Sequence, residues 1–517
     1  MSEKAAKITM TIDGREVNAT SGARLLDVAA SVGVEIPHFC YHPQLSNPAD
    51  CGMCRVHIEG EKDLQTACNT FVEEGMNVQT RSDEVLEALK ETMTEKLTGH
   101  PLDCPVCDKA GECALQNYAE SLQLSGLSIP KIRRNKPKSV IVGPTLVLDG
   151  ERCIQCSRCV RFSEEIAGDK EFVMLPCDGE LQLTVKKEVT HPYSTNLADI
   201  CPVGALTQRD FRTKRRVWSH QQVQSVCPEC ARGCNIILDC AEGEVQRIRP
   251  GHNDAVNQCW MCDAGRVAYR SIASSYRLKM PLVSLRGKLE EVSWQEAFDY
   301  VAGFLEEGQD RLASQLSALA SNEDNYTMAA LLSHLHAPAP ASLPQGPDGW
   351  EDVEEELLRR SDRTPNRMGA EVFSGARPFV ECLDGASTAL ILHENVLPEP
   401  RIHRSLRHVI YLGTHMNATA RAATIVLPVT LWAEQTGSFT NFEGRVQRFF
   451  QGVEPPSGVL PAWKVFVELL QMFGGKRAQR VDAVFNMMSR ETEFFQGVTF
   501  ASLGEKGWRA FMTNEED

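Results

Sequence analysis

Apolar and polar positions alternate from the start of the chain. Lys7-Ile-Thr-Met-Thr-Ile12 has a period of two and predicts a strand, Asp13-Gly14 is a hairpin turn, and Arg15-Glu-Val-Asn-Ala19 resumes the strand. Ala23 to Ser31 switches to helical spacing and stops at Gly33. Asp83 to Leu97 is an amphipathic helix, with Val85, Leu86, Leu89, Met93 and Leu97 on one face. Ser293-Trp-Gln-Glu296 is a capping box opening a helix over Trp294 to Leu305. Residues 337–349, with four prolines, read as a linker. Beyond it, Thr388 to Leu392 and Val409 to Leu412 are short apolar runs between polar and helical stretches, which predicts a parallel α/β sheet. The pattern gives a small α+β domain at the N-terminus and an α/β domain at the C-terminus.

Composition narrows the class. A chain of 517 residues holds roughly three or four domains. A net charge of −15 argues against nucleic-acid binding. No apolar run reaches membrane-spanning length, and the first residues carry no secretory h-region, so a soluble, cytosol-facing chain is expected. Of 19 cysteines, 18 lie within the first 262 residues. In a large chain of this kind they point to metal rather than to disulfides.

Four cysteine sets stand out. Cys40, Cys51, Cys54 and Cys68 put four thiolates on a long loop and a following strand, which suits a [2Fe–2S] centre, with structural zinc as the alternative. His100, Cys104, Cys107 and Cys113 lie within one loop that can wrap a small centre. Thiolate and imidazole suit either zinc or an iron–sulfur cluster. Cys153, Cys156 and Cys159 form a C-x2-C-x2-C triplet that Cys201-Pro202 closes, the ligand pattern of a single [4Fe–4S] cluster. Cys227, Cys230 and Cys234 need a later fourth ligand, for which Cys262 and Cys259 are both available. Cys177 reads as a buried or idle thiol, Cys240 as structural on an apolar strand, and Cys382 has no motif around it. Lys131, Arg133, Arg134, Lys136 and Lys138 read as a solvated connector.

The first cysteine spacing and the run GHPLDCPVCDKAGECALQ resemble the large iron–sulfur subunit of respiratory complex I, in which one histidine precedes three cysteines. Cys262-Asp-Ala-Gly-Arg resembles the closing motif of the molybdopterin oxidoreductase cluster set and favours Cys262 over Cys259. Thr424 to Pro428 and Glu434 to Arg445 resemble the molybdopterin oxidoreductase fold. This likeness implies a [2Fe–2S] ferredoxin-type β-grasp domain (1–82), a one-His three-Cys [4Fe–4S] domain (83–140) and a [4Fe–4S] ferredoxin-like domain (141–220). A [4Fe–4S] domain of the molybdenum-enzyme type (221–280) and a shortened molybdopterin oxidoreductase-like α/β domain without cofactor (281–517) follow. The fourth cluster would be stabilising rather than conducting.

The resemblance also implies one [2Fe–2S] and three [4Fe–4S] clusters and no catalytic acid or base; no molybdenum is expected, because the C-terminal domain is short and Cys382, without a motif, is the one cysteine left there as a ligand. The implied partners are a flavin subunit that oxidises NADH and the other hydrophilic and membrane subunits of a proton-pumping NADH:quinone oxidoreductase. Such a chain would sit peripherally on the cytoplasmic side of the bacterial inner membrane. There is no G-x-G-x-x-G turn for a dinucleotide. The competing readings are the catalytic subunit of an NAD-linked molybdenum formate dehydrogenase, an electron-transfer subunit of a soluble hydrogenase, and a zinc scaffold.

Overall fold

The alternating residues of the first strand pair do what their pattern dictates. β1 (Lys7–Ile12) and β2 (Arg15–Thr20) pair antiparallel, burying Met10, Ile12 and Val17 on one face. Asp13 and Gly14 both take positive φ, 48° and 76°, as the two-residue mirror-image turn requires. α1 (Leu25–Ser31) covers that face with Leu25, Leu26, Val28 and Ala29. β3 (Arg55–Ile58), β4 (Gln65–Thr66) and β5 (Asn77–Gln79) complete a sheet of order β2-β1-β5-β3-β4, with β5 parallel to β1. The whole is a computed structural model that describes residues 6–124, 136–177, 180–345, 355, 357–396, 406–476 and 478–510. The basic residues Lys131, Arg133 and Arg134, and residues 346–349 of the proline-rich stretch, lie outside them.

The chain forms two units, Met1–His220 and Gln221–Asp517. In the first, α2 (Asp83–Thr98) starts where Ser82 accepts a hydrogen bond from the Val85 N–H. Acidic Asp83 and Glu84 in its first turn and Lys96 in its last suit the helix dipole. It buries Val85, Ala88, Leu89, Met93 and Leu97 and ends at Gly99, directly before His100. α3 (Ala114–Ser121) follows. β6 (Val140–Ile141), β7 (Leu146–Leu148), α4 (Arg158–Glu165), the hairpin β8 (Phe172–Cys177) and β9 (Glu180–Val185), α5 (Asn196–Ile200) and β10 (Leu206–Gln208) complete the unit. Cys177, expected to be buried or idle, is exposed at the end of β8.

The second unit opens with an antiparallel sheet of β11 (Gln221–Val226), β12 (Asn235–Ala241) and β13 (Glu244–Pro250). Cys240 is buried on β12, as its apolar neighbours predict. α6 (Asp263–Arg266) leads into β14 (Leu282–Leu285), β15 (Lys288–Glu291), α7 (Trp294–Gly308), β16 (Leu312–Gln315) and α8 (Asn322–His334). Then come α9 (Arg367–Glu371), α10 (Phe379–Cys382), β17 (Thr388–Leu392), β18 (His408–Gly413), α11 (Ala418–Ala422), β19 (Ile425–Pro428), β20 (Gly437–Thr440), β21 (Arg445–Phe449), α12 (Ala462–Met472) and α13 (Val481–Glu491).

The main sheet has the order β15-β14-β19-β18-β17-β16. β16 to β19 are parallel, as expected, but the β14–β15 hairpin adds an antiparallel edge. Leu390, Leu392, Ile410 and Leu412 face α7, α8 and α12, while Ala389, Ile391, Val409 and Tyr411 face Phe379 and Leu383. Burial on both faces is why these strands read as unbroken apolar runs. The described part of the proline-rich stretch is no free linker: Ala341 is fully buried and its N–H donates to the Ser314 carbonyl at 2.8 Å. Prolines cannot supply ladder donors, which confines the stretch to the edge of the sheet.

Candidate metal centres

Cys40, Cys51, Cys54 and Cys68 are all buried and gather in two pairs, with Cys40 hydrogen-bonded to Cys51 and Cys54 to Cys68. The hydrogen bond within each pair raises Cys40 and Cys54 and lowers Cys51 and Cys68. Cys68 sits in a short turn after β4, not on a strand. Two pairs of thiols match a two-iron rhomb, in which each iron takes two protein sulfurs. Asn47 donates to the Cys68 carbonyl at 2.6 Å and Arg24 also donates to it, holding the distant cysteine in place.

In the next loop Cys104 starts a short turn, Cys107 N–H donates to the Cys104 carbonyl at 3.1 Å, and Cys113 caps α3. Burial raises the Cys107 and Cys113 thiols, and the two sit within electrostatic reach of each other. Burial also pushes the His100 imidazole down to about 4, so it is neutral, and its Nδ1 is buried without a hydrogen-bond partner. A neutral imidazole with an unsatisfied buried nitrogen is the state a metal ligand requires. His100 lines a small cavity with Cys153, Ile154 and Gln155.

All four thiols of the third set line one cavity, which Met174 and Leu183 of the β8–β9 hairpin cover. Gln155 and Ser157 take positive φ of 61° and 57°. These left-handed turns alternate with Cys153, Cys156 and Cys159 and turn all three sulfurs inward. Non-glycine residues adopt that conformation rarely, and it clusters at functional sites. Burial pushes Cys153 and Cys156 up to about 11 and about 12. Metal binding must displace those protons, and it compensates the thiolates in an apolar setting.

The fourth set lies in the second unit. Cys227 N–H donates to the Cys234 carbonyl at 2.9 Å, and Cys227, Cys230, Cys234 and Cys262 are all buried. Cys262 acts electrostatically on Cys227 and Cys234, whereas Cys259 is half-exposed. A Cβ on Gly265 would come within 2.8 Å of Cys227 Sγ, so the Cys262-x-x-Gly265 turn leaves room only for glycine. The stretch Glu434 to Arg445 packs on the loop of this set: Phe442 N–H donates to the Ala231 carbonyl at 2.9 Å and Asn441 to the Arg232 carbonyl at 3.2 Å.

Among the described residues, no three His, Cys, Asp or Glu side chains meet at the spacing of a single ion. Within the first unit the sets abut one another. Ala114 N–H donates to the Pro202 carbonyl at 2.8 Å, and a Cβ on Gly204 would overlap Cys107 Sγ. Arg161 of α4 donates to the carbonyls of Cys40 at 2.5 Å and Cys156 at 3.3 Å, and Arg158 to those of Tyr41 at 2.5 Å and Ile200 at 3.2 Å. Sequence reasoning missed these arginines and Gly204. The available signal was their position one to three residues from a ligand.

Family models match five segments. Residues 5–83 match the 2Fe-2S iron-sulfur cluster binding domain, 90–126 the NADH-ubiquinone oxidoreductase-G iron-sulfur binding region, and 143–207 the ferredoxin-like domain of NADH-quinone oxidoreductase subunit 3. Residues 220–274 match the molybdopterin oxidoreductase Fe4S4 domain, and 277–341 with 399–472 the molybdopterin oxidoreductase family. An NADH-quinone oxidoreductase subunit of Streptomyces coelicolor is 37% identical over 325 residues, which is 62% of this chain and 38% of that protein. Its counterpart in Rickettsia typhi is 34% identical over 333 residues, 63% of this chain and 49% of that protein. The mitochondrial NADH-ubiquinone oxidoreductase 78 kDa subunit of Candida albicans is 34% identical over 305 residues, 58% of this chain and 42% of that protein. The match thus spans less than half the length of these relatives. A solved NAD+-reducing [NiFe]-hydrogenase chain is 26% identical, with a TM-score of 0.38 over 41% of this chain and 92% of that one.

Proposed function

We propose that this chain, which over some three-fifths of its length is similar to iron–sulfur subunits of NADH-quinone oxidoreductases, is an electron-transfer subunit of such a complex. The observation that carries the reading is the abutment of three ligand sets in one unit. Arg161 joins the carbonyls of Cys40 and Cys156, and Cys107 Sγ packs on Gly204, three residues after Cys201. A relay needs its centres side by side, whereas independent structural zinc sites have no such requirement.

The ligand assignment is Cys40, Cys51, Cys54 and Cys68 for one [2Fe–2S] cluster. His100, Cys104, Cys107 and Cys113, then Cys153, Cys156, Cys159 and Cys201, then Cys227, Cys230, Cys234 and Cys262 hold one [4Fe–4S] cluster each. Bound there, such clusters supply one-electron chemistry. The chain's own residues hold the ligands, exclude water and fix the spacing between sets. No residue is assigned as an acid or base. Hydride chemistry belongs to a flavin on a partner that oxidises NADH, and quinone is the final acceptor.

The five segments 1–82, 83–140, 141–220, 221–280 and 281–517 are assigned as domains of this relay, the last a scaffold without molybdenum cofactor. Near the carboxyl ends of β16 to β19, where open α/β sheets bind ligands, Arg277 pairs with Glu434 and Ser317 donates to Glu394 at 2.6 Å, while Gln315 Oε1 and Thr430 Oγ1 are buried without a hydrogen-bond partner. Among the described residues no helix is long and apolar enough to cross a membrane, which supports a peripheral place, assigned to the cytoplasmic side of the inner membrane beside the membrane subunits.

The test is gentle purification of the tagged native protein with iron and molybdenum counts. The reading expects about 14 irons per chain, no molybdenum, and co-purifying flavin and membrane subunits. Stoichiometric molybdenum, or a colourless zinc protein, overturns it.

A further inference from the structure

Two ligand loops of the first unit are joined by a partly buried ion pair. Arg152 directly precedes Cys153, and Asp103 directly precedes Cys104. Arg152 is only 5% exposed. Its Nε and Nη2 donate to Asp103 Oδ1 and Oδ2 at 3.1 and 2.7 Å, a two-pronged fit. Nε also lies 3.5 Å from Asp149, and Lys138 lies 3.9 Å from Asp103 and 2.7 Å from Glu151. The same arginine runs beside the thiol of Cys107. Its Cδ is 3.4 Å from the point where a Gly204 Cβ would stand, the point that Cys107 Sγ also overlaps. The charges of Arg152 and Asp103 both act on His100 and on Cys107.

A charge held this close to a redox centre, and shielded from water, acts on it strongly. Adding one electron to the centre adds one negative charge. A fixed cation stabilises that state and a fixed anion opposes it. Arg152 stays protonated throughout, and Asp103 accepts both of its hydrogen bonds, one on each carboxyl oxygen, as the anionic partner of the pair.

We propose that Arg152 and Asp103 are positioning residues that set, with opposite signs, the reduction potential of the His100–Cys113 centre, and thereby its driving force against the neighbouring Cys153–Cys201 centre. This rests on the cluster assignment above. Asp103 tempers the cation, and the pair also locks the two loops at a fixed separation. A purely structural clasp would respond alike to loss of either partner. An electrostatic regulator responds in opposite directions.

The experiment is a mediated redox titration of the full complex, followed by low-temperature electron paramagnetic resonance of each centre, with an iron count on every sample. Arg152→Gln is expected to lower the midpoint potential of the His100–Cys113 centre, and Asp103→Asn to raise it. Each change should be about tenfold in the reduction equilibrium, which is about 59 mV for one electron. Arg152→Lys should restore most of the shift, and the Cys40–Cys68 centre should move less. Shifts in the same direction, or none, overturn the proposal. If Arg152→Gln fails to hold its cluster, Asp103→Asn decides: an upward shift supports the proposal, and a downward or absent one refutes it. Wild-type protein without iron would instead overturn the cluster assignment itself.

Discussion

Arg161 Nη2 donates to the backbone carbonyl of Cys40 at 2.5 Å across 121 residues of sequence. The same guanidinium reaches Cys156 and Ser46, so α4 grips the loop that carries the first ligand set. Glu165, one turn further on, accepts from the Ser46 N–H at 2.8 Å. Hydrogen bonds from a charged donor contribute about 1.5–3 kcal/mol each. Arg161→Ala should therefore loosen the Cys40 loop and speed loss of the [2Fe–2S] signal on dilution, while the Cys227–Cys262 signal persists. Visible circular dichroism against time checks this, and equal decay rates in both proteins would refute it.

Gly204 tests the packing between two centres. A Cβ there would overlap Cys107 Sγ and crowd Arg152 Cδ. Gly204→Ala should cost about 1–3 kcal/mol, the usual range for overpacking, and distort the spectrum of the His100–Cys113 centre. Gly303, inside α7, has open space around its missing Cβ. Gly303→Ala should stabilise by about 0.5–1 kcal/mol through helix propensity alone. Thermal unfolding of the two variants should move in opposite directions.

Cys262 and Cys259 separate by iron content. Cys262→Ser should lower the count from about 14 to about 10 irons per chain, with the other three spectra intact. Cys259→Ser should leave the count unchanged. The reverse result would hand the ligand role to Cys259.

Glu323 gives the second unit a pH dependence. It is fully buried at the start of α8, where burial raises its pKa to about 7 despite hydrogen bonds from Ser438. The unfolded carboxyl ionises near 4.3. Below that value both states are protonated and the contribution is fully present. Between there and about pH 7 the unfolded chain holds fewer protons, so stability falls as pH rises, by up to about 1.4 kcal/mol per pH unit. Glu323→Gln should make the fall in denaturant stability of this unit between pH 5 and 7 shallower, leaving the part that Glu394, also raised to about 7 by burial, contributes. A wild-type midpoint that rises over that interval would contradict the assignment.

Local pattern carried much of this molecule. The β1–β2 hairpin follows from alternation around Asp13-Gly14, α2 from its cap and apolar face, and α7 from Ser293 and Glu296. Each is fixed by residues within a few positions of one another, where propensity and capping act. The cysteine spacings are legible for the same reason, since they lie along the chain itself, and the proposed ligand sets rest on them. Long-range packing decided the rest. Cys259 and Cys262 are three residues apart, and only the fold buries Cys262 with Cys227 and Cys234. The Arg152–Asp103 pair, the Arg161 bridge and the Gly204–Cys107 contact join segments 49 to 121 residues apart. No periodicity records such pairings, because they arise from how whole elements pack and not from the backbone geometry of any one of them. The same holds for Ala341, whose proline-rich surroundings suggest a linker until the open edge of β16 supplies an acceptor for its N–H.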